Sequence, residues 1–285
     1  MNQSLICAVA AMAFYGLSDF IYKRAAAAGI RADYFLMVQG WFFGPVVILY
    51  AVASHTFIPA SAALWGSLAG VFIFVGFYFF IRSLTTGSIS TNVSIFRLNF
   101  IITVALVIAV LGEPLTPGKI AGLALALLAT WLLVTADAAA NRRADSAQRR
   151  SLMEVALATV AFGASNFFHT IGLRHGAVPE MLAVAQAALF MPLATAVVYF
   201  ADGKLQPPPA TFKYSAAAAI ALLGATIFLL HGVAGGQASV IVPIAQMGFV
   251  VATLLGFFAL HERITLRKAL GLASAFAALT VLAGS

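Results

Sequence analysis

Arg97 lies within an apolar stretch, SIFRLNFIITVALVIAV (residues 94–110), and Asp19 lies near the end of another. A charged side chain at membrane depth costs at least about 2.5–3.5 kcal/mol, so it must be paired or face water. At 1.5 Å per helical residue the two lie about 5 and 12 Å from the same membrane face, close enough to pair. A guanidinium also binds both oxygens of a carboxylate. We expect Arg97 to bind the carboxylate of a solute and to pair with Asp19 when the site is empty. A purely structural Arg97–Asp19 ion pair is the alternative.

Further polar and aromatic residues recur at helical spacing in such stretches. Tyr15, Ser18 and Asp19 share one helical face, and so do Ser94 and Arg97. In an apolar environment these faces must line the interior of a bundle or a water-filled cavity. The candidate solute-binding residues are Tyr15, Ser18, Asp19, Phe74, Tyr78, Ser94, Arg97, Phe162, Ser165, Asn166, His169, His231 and Gln246.

Two other pairs of polar residues receive structural interpretations. Glu113 and Glu262 each follow an apolar stretch, where helix capping or an interfacial salt bridge explains a carboxylate. Gln39 and Gln186 have no second polar residue on their helical faces, so we interpret both as structural.

The sequence carries no pattern typical of catalysis or metal binding. It contains no HExxH or GxSxG motif and no acidic pair within an apolar stretch, which argues against an enzyme. Its single cysteine, Cys7, excludes an intrachain disulfide and a cysteine-clustered metal site. We therefore expect no catalytic residue, no metal and no cofactor.

Composition places these residues in a membrane. The 285 residues are 62% hydrophobic and 9% charged, whereas soluble domains are about 25% charged. Apolar runs of about 20 residues predict membrane-spanning helices. Ten such runs cover residues 4–22, 34–53, 62–82, 89–111, 119–136, 152–173, 181–201, 213–231, 238–260 and 267–284. The net charge of +7 is explained by basic loops beside these helices, so we expect a lipid bilayer and no nucleic acid as partner.

The basic loops also predict an orientation. Thirteen of the sixteen Lys and Arg residues lie in the loops of one side, and two lie in loops of the other side. Cytoplasmic loops carry the excess of basic residues. The linker at 138–151 is therefore predicted to be cytoplasmic and both termini periplasmic, in a bacterial-type inner membrane.

The second half of the chain repeats the first. A shift of 147 residues places Gly16-Leu17-Ser18-Asp19-Phe20 on Gly163-Ala164-Ser165-Asn166-Phe167, and a shift of 149 aligns the later helices. Chance similarity of alanine-rich helices does not predict one register over five helices. We predict an all-α integral membrane protein of ten transmembrane helices, with five-helix repeats at 1–137 and 152–285 around a central cavity. Five is odd, so the repeats are inverted, which is typical of secondary transporters.

This organisation resembles the drug/metabolite transporter superfamily with paired EamA-type domains. In both halves a glutamate closes the fourth helix, in Leu111-Gly112-Glu113-Pro114-Leu115-Thr116 and in Leu260-His261-Glu262-Arg263-Ile264-Thr265. The resemblance implies export of amino acids or other small metabolites through a cavity lined by helices 1, 3, 4, 6, 8 and 9. Two features depart from the family: His261-Glu262-Arg263 replaces a Gly-Glu-Pro turn, and many relatives keep their termini inside.

The favoured hypothesis is a secondary transporter that exports small metabolites by alternating access. Aromatic candidate residues and few buried charges indicate amino acids with apolar or aromatic side chains as substrates. A sodium-coupled carrier of another ten-helix fold is one alternative; it needs broken, crossing helices in both halves, and Pro243 offers a break for which its counterpart Ser94 has no match. A passive channel is another. The sequence leaves the oligomeric state open and is compatible with a monomer.

Overall fold

The computed structural model describes residues 3–59, 61–86, 92, 95–138, 146–260 and 265–285. Within these ranges all regular secondary structure is helical. The α-helices are α1 (Gln3–Ala27), α2 (Ala32–Ala53), α3 (Leu64–Thr86), α4 (Asn99–Leu111), α5 (Pro117–Ala138), α6 (Ser146–Arg174), α7 (Pro179–Asp202), α8 (Pro209–Gly235), α9 (Ala238–Gln246), α10 (Gly248–Leu260) and α11 (Leu266–Ala283).

The helices coincide with the predicted spans, α9 and α10 together forming the ninth. Seven helices in the described part of the chain are long and apolar enough to cross a membrane. Helix ends follow local sequence: α7 and α8 begin at prolines, whose missing N–H costs nothing there. Gly112 and Gly203, with φ of 68° and 67°, end α4 and α7 in the left-handed conformation. The prediction of an all-α membrane protein is confirmed.

The principal helix contacts join the two halves of the chain. Helix α1 packs against α8, α9 and α10, and α6 packs against α3 and α4. Helix α2 packs against α7 and α8, α3 also packs against α7, and α5 packs against α11. The interior of the bundle is therefore built from both halves together.

Glycines permit some of the closest of these contacts. A Cβ at Gly16 would lie 2.5 Å from the Cβ of Val251, and one at Gly163 would lie 2.5 Å from the Cβ of Ile102. These contacts bring α1 against α10 and α6 against α4. Membrane helices approach this closely where small side chains let their backbones meet.

The fourth and ninth spans are interrupted at corresponding residues. Leu98 N donates to Ile95 O at 3.0 Å, and Met247 N donates to Ile244 O at 3.1 Å, so each helix contains one tight turn. Pro243, which offered a possible break, lies inside α9, and the chain is interrupted at Met247 instead. Its counterpart Ser94 lies outside the described residues, so the absence of a matching break there stays a prediction. Neither break required a proline at its own position.

Candidate functional site

Arg97 and Asp19 form an ion pair between the turn before α4 and helix α1. Only 5% of the Arg97 side chain and 13% of the Asp19 side chain are exposed. Arg97 Nη2 donates to Asp19 Oδ1, and Arg97 Nη1 donates to Gln246 Oε1 at 3.0 Å. The guanidinium carbon lies 5.7 Å from the ring centre of Tyr15, within cation–π range. The buried arginine is thus held by helices from both halves.

Amide side chains extend this network across the bundle. Asn99 Nδ2 donates to Gln246 Oε1 at 3.4 Å, and Asn166 Nδ2 donates to Asn99 Oδ1 at 3.5 Å. Within the described ranges, Asp19 Oδ2, Arg97 Nε and Gln246 Nε2 have no hydrogen-bond partner. A buried polar group without a partner costs about 1–3 kcal/mol. The network therefore has free capacity to bind a polar ligand.

Two small cavities flank the network, each with a volume of about 10 Å³, room for about one water molecule. Each has its own polar side and a shared apolar wall. The charged cavity has Ser18, Asp19, Tyr22, Phe80, Phe96 and Arg97 as its own residues. The neutral cavity has Ile73, Asn166, His169, Gln186, Thr226 and Leu229. The wall between them is formed by Tyr15, Phe77, Phe162 and Leu222. A metabolite fits only if this wall moves.

Most of the candidate residues lie together at this centre. Ser165 is buried beside the cavities and donates to Phe162 O at 2.6 Å. Gln246 contacts Arg97 directly. Ser94 lies outside the described residues. The candidates that line the two cavities are Tyr15, Ser18, Asp19, Arg97, Phe162, Asn166 and His169.

Three candidates lie elsewhere. Phe74 packs against Tyr78 and Phe190, and Tyr78 Oη accepts a hydrogen bond from Arg82 at 3.3 Å. Helix α3 directs Ile73 and Phe77 to the cavities, each one position before a predicted residue. Helical periodicity alone does not show which face of a helix points inwards. His231 is 44% exposed and pairs with Glu180 at 2.8 Å near the surface of the bundle.

Of the two glutamines interpreted as structural, Gln186 lines a cavity and Gln39 does not. Gln39 Nε2 donates to the Tyr22 hydroxyl at 2.8 Å, and Gln186 lines the neutral cavity with His169. The sequence signal for Gln186 was its match to Gln39 in the repeat. A search for a second polar residue on the same helix missed Gln186, because His169 lies on a different helix.

Glu113 joins three helix ends. Its carboxylate accepts hydrogen bonds from the backbone N–H groups of Ala238 and Ser239, at 3.1 and 2.9 Å, and pairs with Arg174 at 3.0 Å. This is a helix cap and salt bridge of the kind predicted. Glu262 lies outside the described residues.

Ion pairs also join helix ends on the opposite side of the bundle. Arg82 pairs with Glu154 at 3.2 Å, and Arg31 pairs with Asp202 at 3.0 Å. The hydrogen bonds from Arg31 to Asp33 raise the pKa of this guanidinium above its ordinary value, so it stays charged. Together with Glu113 and Arg174, these contacts tie helices together at both ends of the central site.

A much larger groove lies away from the buried charges. It has a volume of about 900 Å³ and runs between α1, α2 and α8, lined mainly by apolar residues such as Ile220 and Phe228. The central site is the better candidate because it contains the buried charges. Within the described part of the chain, no group of three or more His, Cys, Asp or Glu side chains could hold a metal ion.

Comparisons with known proteins agree with this architecture. Residues 2–135 match the EamA-like transporter family. A protein of known crystal structure, 17% identical in sequence, matches 99% of this chain and 96% of its own with a TM-score of 0.81. At this identity the likeness shows a shared fold. No curated protein sequence matches the chain.

Proposed function

We propose that this chain is a multi-pass membrane transporter of the drug/metabolite type and that it exports small carboxylated metabolites, amino acids first among them. The match of residues 2–135 to the EamA-like transporter family supports the transporter class. The observation that carries the proposal is the Arg97–Asp19 pair. The pair is buried where the two halves of the chain meet. Within the described residues, Asp19 Oδ2 and Arg97 Nε have no hydrogen-bond partner.

The pair provides complementary charges for an amino acid. When an amino acid binds, Arg97 pairs with the substrate carboxylate. Asp19 separates from Arg97 and pairs with the substrate ammonium group. This replacement keeps both buried charges paired throughout, which avoids the penalty of leaving one alone. Between substrates, Asp19 holds the arginine in place.

The walls of the site favour an apolar or aromatic side chain. Tyr15, Phe77, Phe96 and Phe162 surround the charged cavity. Aromatic rings of this kind bind apolar groups through burial and edge-to-face contacts. The pair provides one positive and one negative charge, which argues against multiply charged solutes.

Alternating access between two inverted repeats, at 1–137 and 152–285, is the proposed mechanism. Each helix has a counterpart in the other repeat, and contacts recur between counterparts. The contact of α1 with α8 corresponds to that of α6 with α3, and the contact of α2 with α8 corresponds to that of α7 with α3. The tight turns at Leu98 and Met247 correspond in the same way. Such symmetry supports two conformations of similar energy, open to opposite sides. The breaks provide points at which α4 and α9 can bend.

Orientation follows from the loop charges. We propose a bacterial-type inner membrane with the basic linker at 138–151 in the cytoplasm and both termini in the periplasm. A reporter fused after Ser285 that is active only in the periplasm tests this. Activity of a cytoplasmic reporter at the same position contradicts the orientation and leaves the fold unaffected.

A sodium-coupled carrier is the second candidate, and the paired breaks in the fourth and ninth spans are the observation in its favour. A passive channel is less compatible, because the cavities admit about one water molecule each.

Transport by purified protein in proteoliposomes tests the proposal. A panel of amino acids, a sugar phosphate and a cationic drug is offered, in turn under a proton gradient, a sodium gradient and no gradient. Saturable transport of amino acids supports the proposal, and the gradients distinguish proton from sodium coupling. Transport of the sugar phosphate without any amino acid contradicts it, and unsaturable flux indicates a channel.

A further inference from the structure

The neutral cavity contains two buried polar side chains with spare hydrogen-bonding capacity. His169 and Gln186 are each 4% exposed and are neighbours across this cavity. Within the described ranges, neither His169 Nε2 nor Gln186 Oε1 completes a hydrogen bond, although the imidazole and the amide lie close enough to interact with each other. Most of the remaining lining is apolar, with Ile73 and Leu229 among its residues. Asn166 and Thr226 also line the cavity, which therefore has both apolar and polar walls.

The corresponding pair in the first half differs. Gln39 and Tyr22, which match Gln186 and His169 in the repeat, are joined by a hydrogen bond of 2.8 Å. Gln39 lines neither cavity, whereas Gln186 lines the neutral one. Within the described ranges, Gln39 Oε1 also has no hydrogen-bond partner, so a spare amide oxygen is common to both halves. The second half differs because its glutamine lines a cavity.

The neutral cavity is placed to receive the far end of a solute bound at Arg97. Tyr15, Phe77 and Phe162 line both cavities, so rotation of these rings joins them into one space. The rings of Phe77 and Phe162 meet edge to face with their centres 5.3 Å apart. A solute whose carboxylate is on Arg97 then extends its side chain past these rings towards His169.

We propose that the neutral cavity is a side-chain subsite in which His169 and Gln186 select aromatic amino acids that carry a hydroxyl group on the ring. The proposal rests on the proposed function, since it assumes an amino acid bound at Arg97. A phenol both donates and accepts, so it donates to Gln186 Oε1 and contacts His169 Nε2, which takes either role according to its tautomer. The apolar lining receives the ring.

The physical reason for selectivity is the cost of leaving these groups unpaired. A ring without the hydroxyl fills the same space but buries the imidazole and the amide without a partner. Each such group costs about 1–3 kcal/mol, which corresponds to about 5-fold to 150-fold in affinity. Sites built to bind a hydroxyl group discriminate strongly against the analogue that lacks it. We expect tyrosine to be transported at least about tenfold more efficiently than phenylalanine.

Competition between substrates on the unaltered protein is the first test. Proteoliposomes are loaded with radiolabelled tyrosine, and its transport is measured in competition with unlabelled tyrosine, phenylalanine and O-methyltyrosine. In O-methyltyrosine the hydroxyl can no longer donate a hydrogen bond. The transport efficiencies of the three compounds are then compared. The expected order is tyrosine first, with both analogues at least about tenfold weaker. Equal efficiencies for tyrosine and phenylalanine overturn the subsite while the proposed function stands. Transport of none of the three overturns the subsite, and the wider amino-acid panel described above then decides the proposed function.

Substitutions identify the residues responsible. Gln186→Leu and His169→Phe should each lower the tyrosine-to-phenylalanine ratio towards one, by loss of tyrosine transport and not by loss of phenylalanine transport. Gln39→Leu is the matched control, since it removes the corresponding glutamine outside the cavity lining, and its ratio should equal that of the unaltered protein. His169→Tyr copies Tyr22 and provides a second, polar variant if His169→Phe fails to fold. An unchanged ratio in both Gln186→Leu and the His169 variant that folds overturns the assignment.

Discussion

The charged cavity and the neutral cavity lie side by side and use corresponding residues of the two halves, yet only one of them is charged. Asp19 and Arg97 in the first half correspond to Asn166 and Gln246 in the second. The surrounding scaffold is the more symmetric part, since Gly16 and Gly163 make corresponding close contacts. Under the proposed mechanism, the symmetric scaffold serves movement, and the side chains serve recognition, which needs a difference between the two ends of a solute.

Arg97→Gln removes this difference most completely, because it gives the first half the residue found in the second. The variant fits the space, so folding should persist. Transport of phenylalanine should fall at least about tenfold, the loss of roughly 1.5–3 kcal/mol expected for a charged hydrogen bond. Phenylalaninamide, which has no carboxylate, should lose much less.

The competing explanation for Arg97 is a structural ion pair. It predicts equal losses for phenylalanine and its amide. It also predicts that Arg97→Gln fails to fold unless Asp19→Asn is introduced with it. Detergent-solubilised yield and size-exclusion profiles of the single and double variants decide between the two.

Gly16→Ala and Gly163→Ala test the symmetry of the scaffold. Each added methyl would lie about 2.5 Å from a neighbouring side-chain carbon, so each should destabilise the protein by about 1–3 kcal/mol. Thermal unfolding in detergent should give similar decreases for both. Gly44→Ala is the control, because its Cβ would lie 3.4 Å from the nearest atom, an ordinary contact. A large loss at one position only would show that the two contacts are not equivalent.

Glu113→Gln probes the helix cap between the halves. The amide keeps one acceptor for the N-terminus of α9 but loses the second oxygen and the charge that pairs with Arg174. We expect a loss of about 0.5–2 kcal/mol in unfolding free energy, typical of a weakened cap. Glu262→Gln provides the corresponding change in the second half. An unfolding midpoint unaffected by Glu113→Gln would show that the cap adds nothing to stability.

Asp19→Asn should have the smallest effect on selectivity. The change frees Arg97 from its partner but leaves the guanidinium available to a carboxylate. The ratio of phenylalanine to phenylalaninamide transport should stay within about twofold of the original, while the dependence of transport on pH changes, since a titratable group is lost. A pH profile identical to that of the unaltered protein would mean that Asp19 takes no part in coupling.

Much of this protein follows from the sequence itself. Apolar runs of membrane length with few charges fold only as helices in lipid, because every backbone polar group must be satisfied within its own segment. Within the described residues, the predicted spans therefore coincide with helices. A buried Arg97 requires a partner, and Asp19 was the acidic residue at a compatible depth. Helical spacing also identified Tyr15 and Asn166, because polar faces cannot be exposed to lipid.

The tertiary structure decided what depends on contacts between distant segments. Helical periodicity shows which residues share a face of a helix but not what that face packs against. It therefore favoured Phe74 and Tyr78, whereas α3 in fact directs Ile73 and Phe77 to the cavities. The roles of Gln39 and Gln186 depend on partners from other helices, which no pattern within one helix reveals. The breaks at Leu98 and Met247 arise without a proline at either position. They lie where the fourth and ninth spans cross, and a residue's position at such a crossing is set by the packing of the whole bundle.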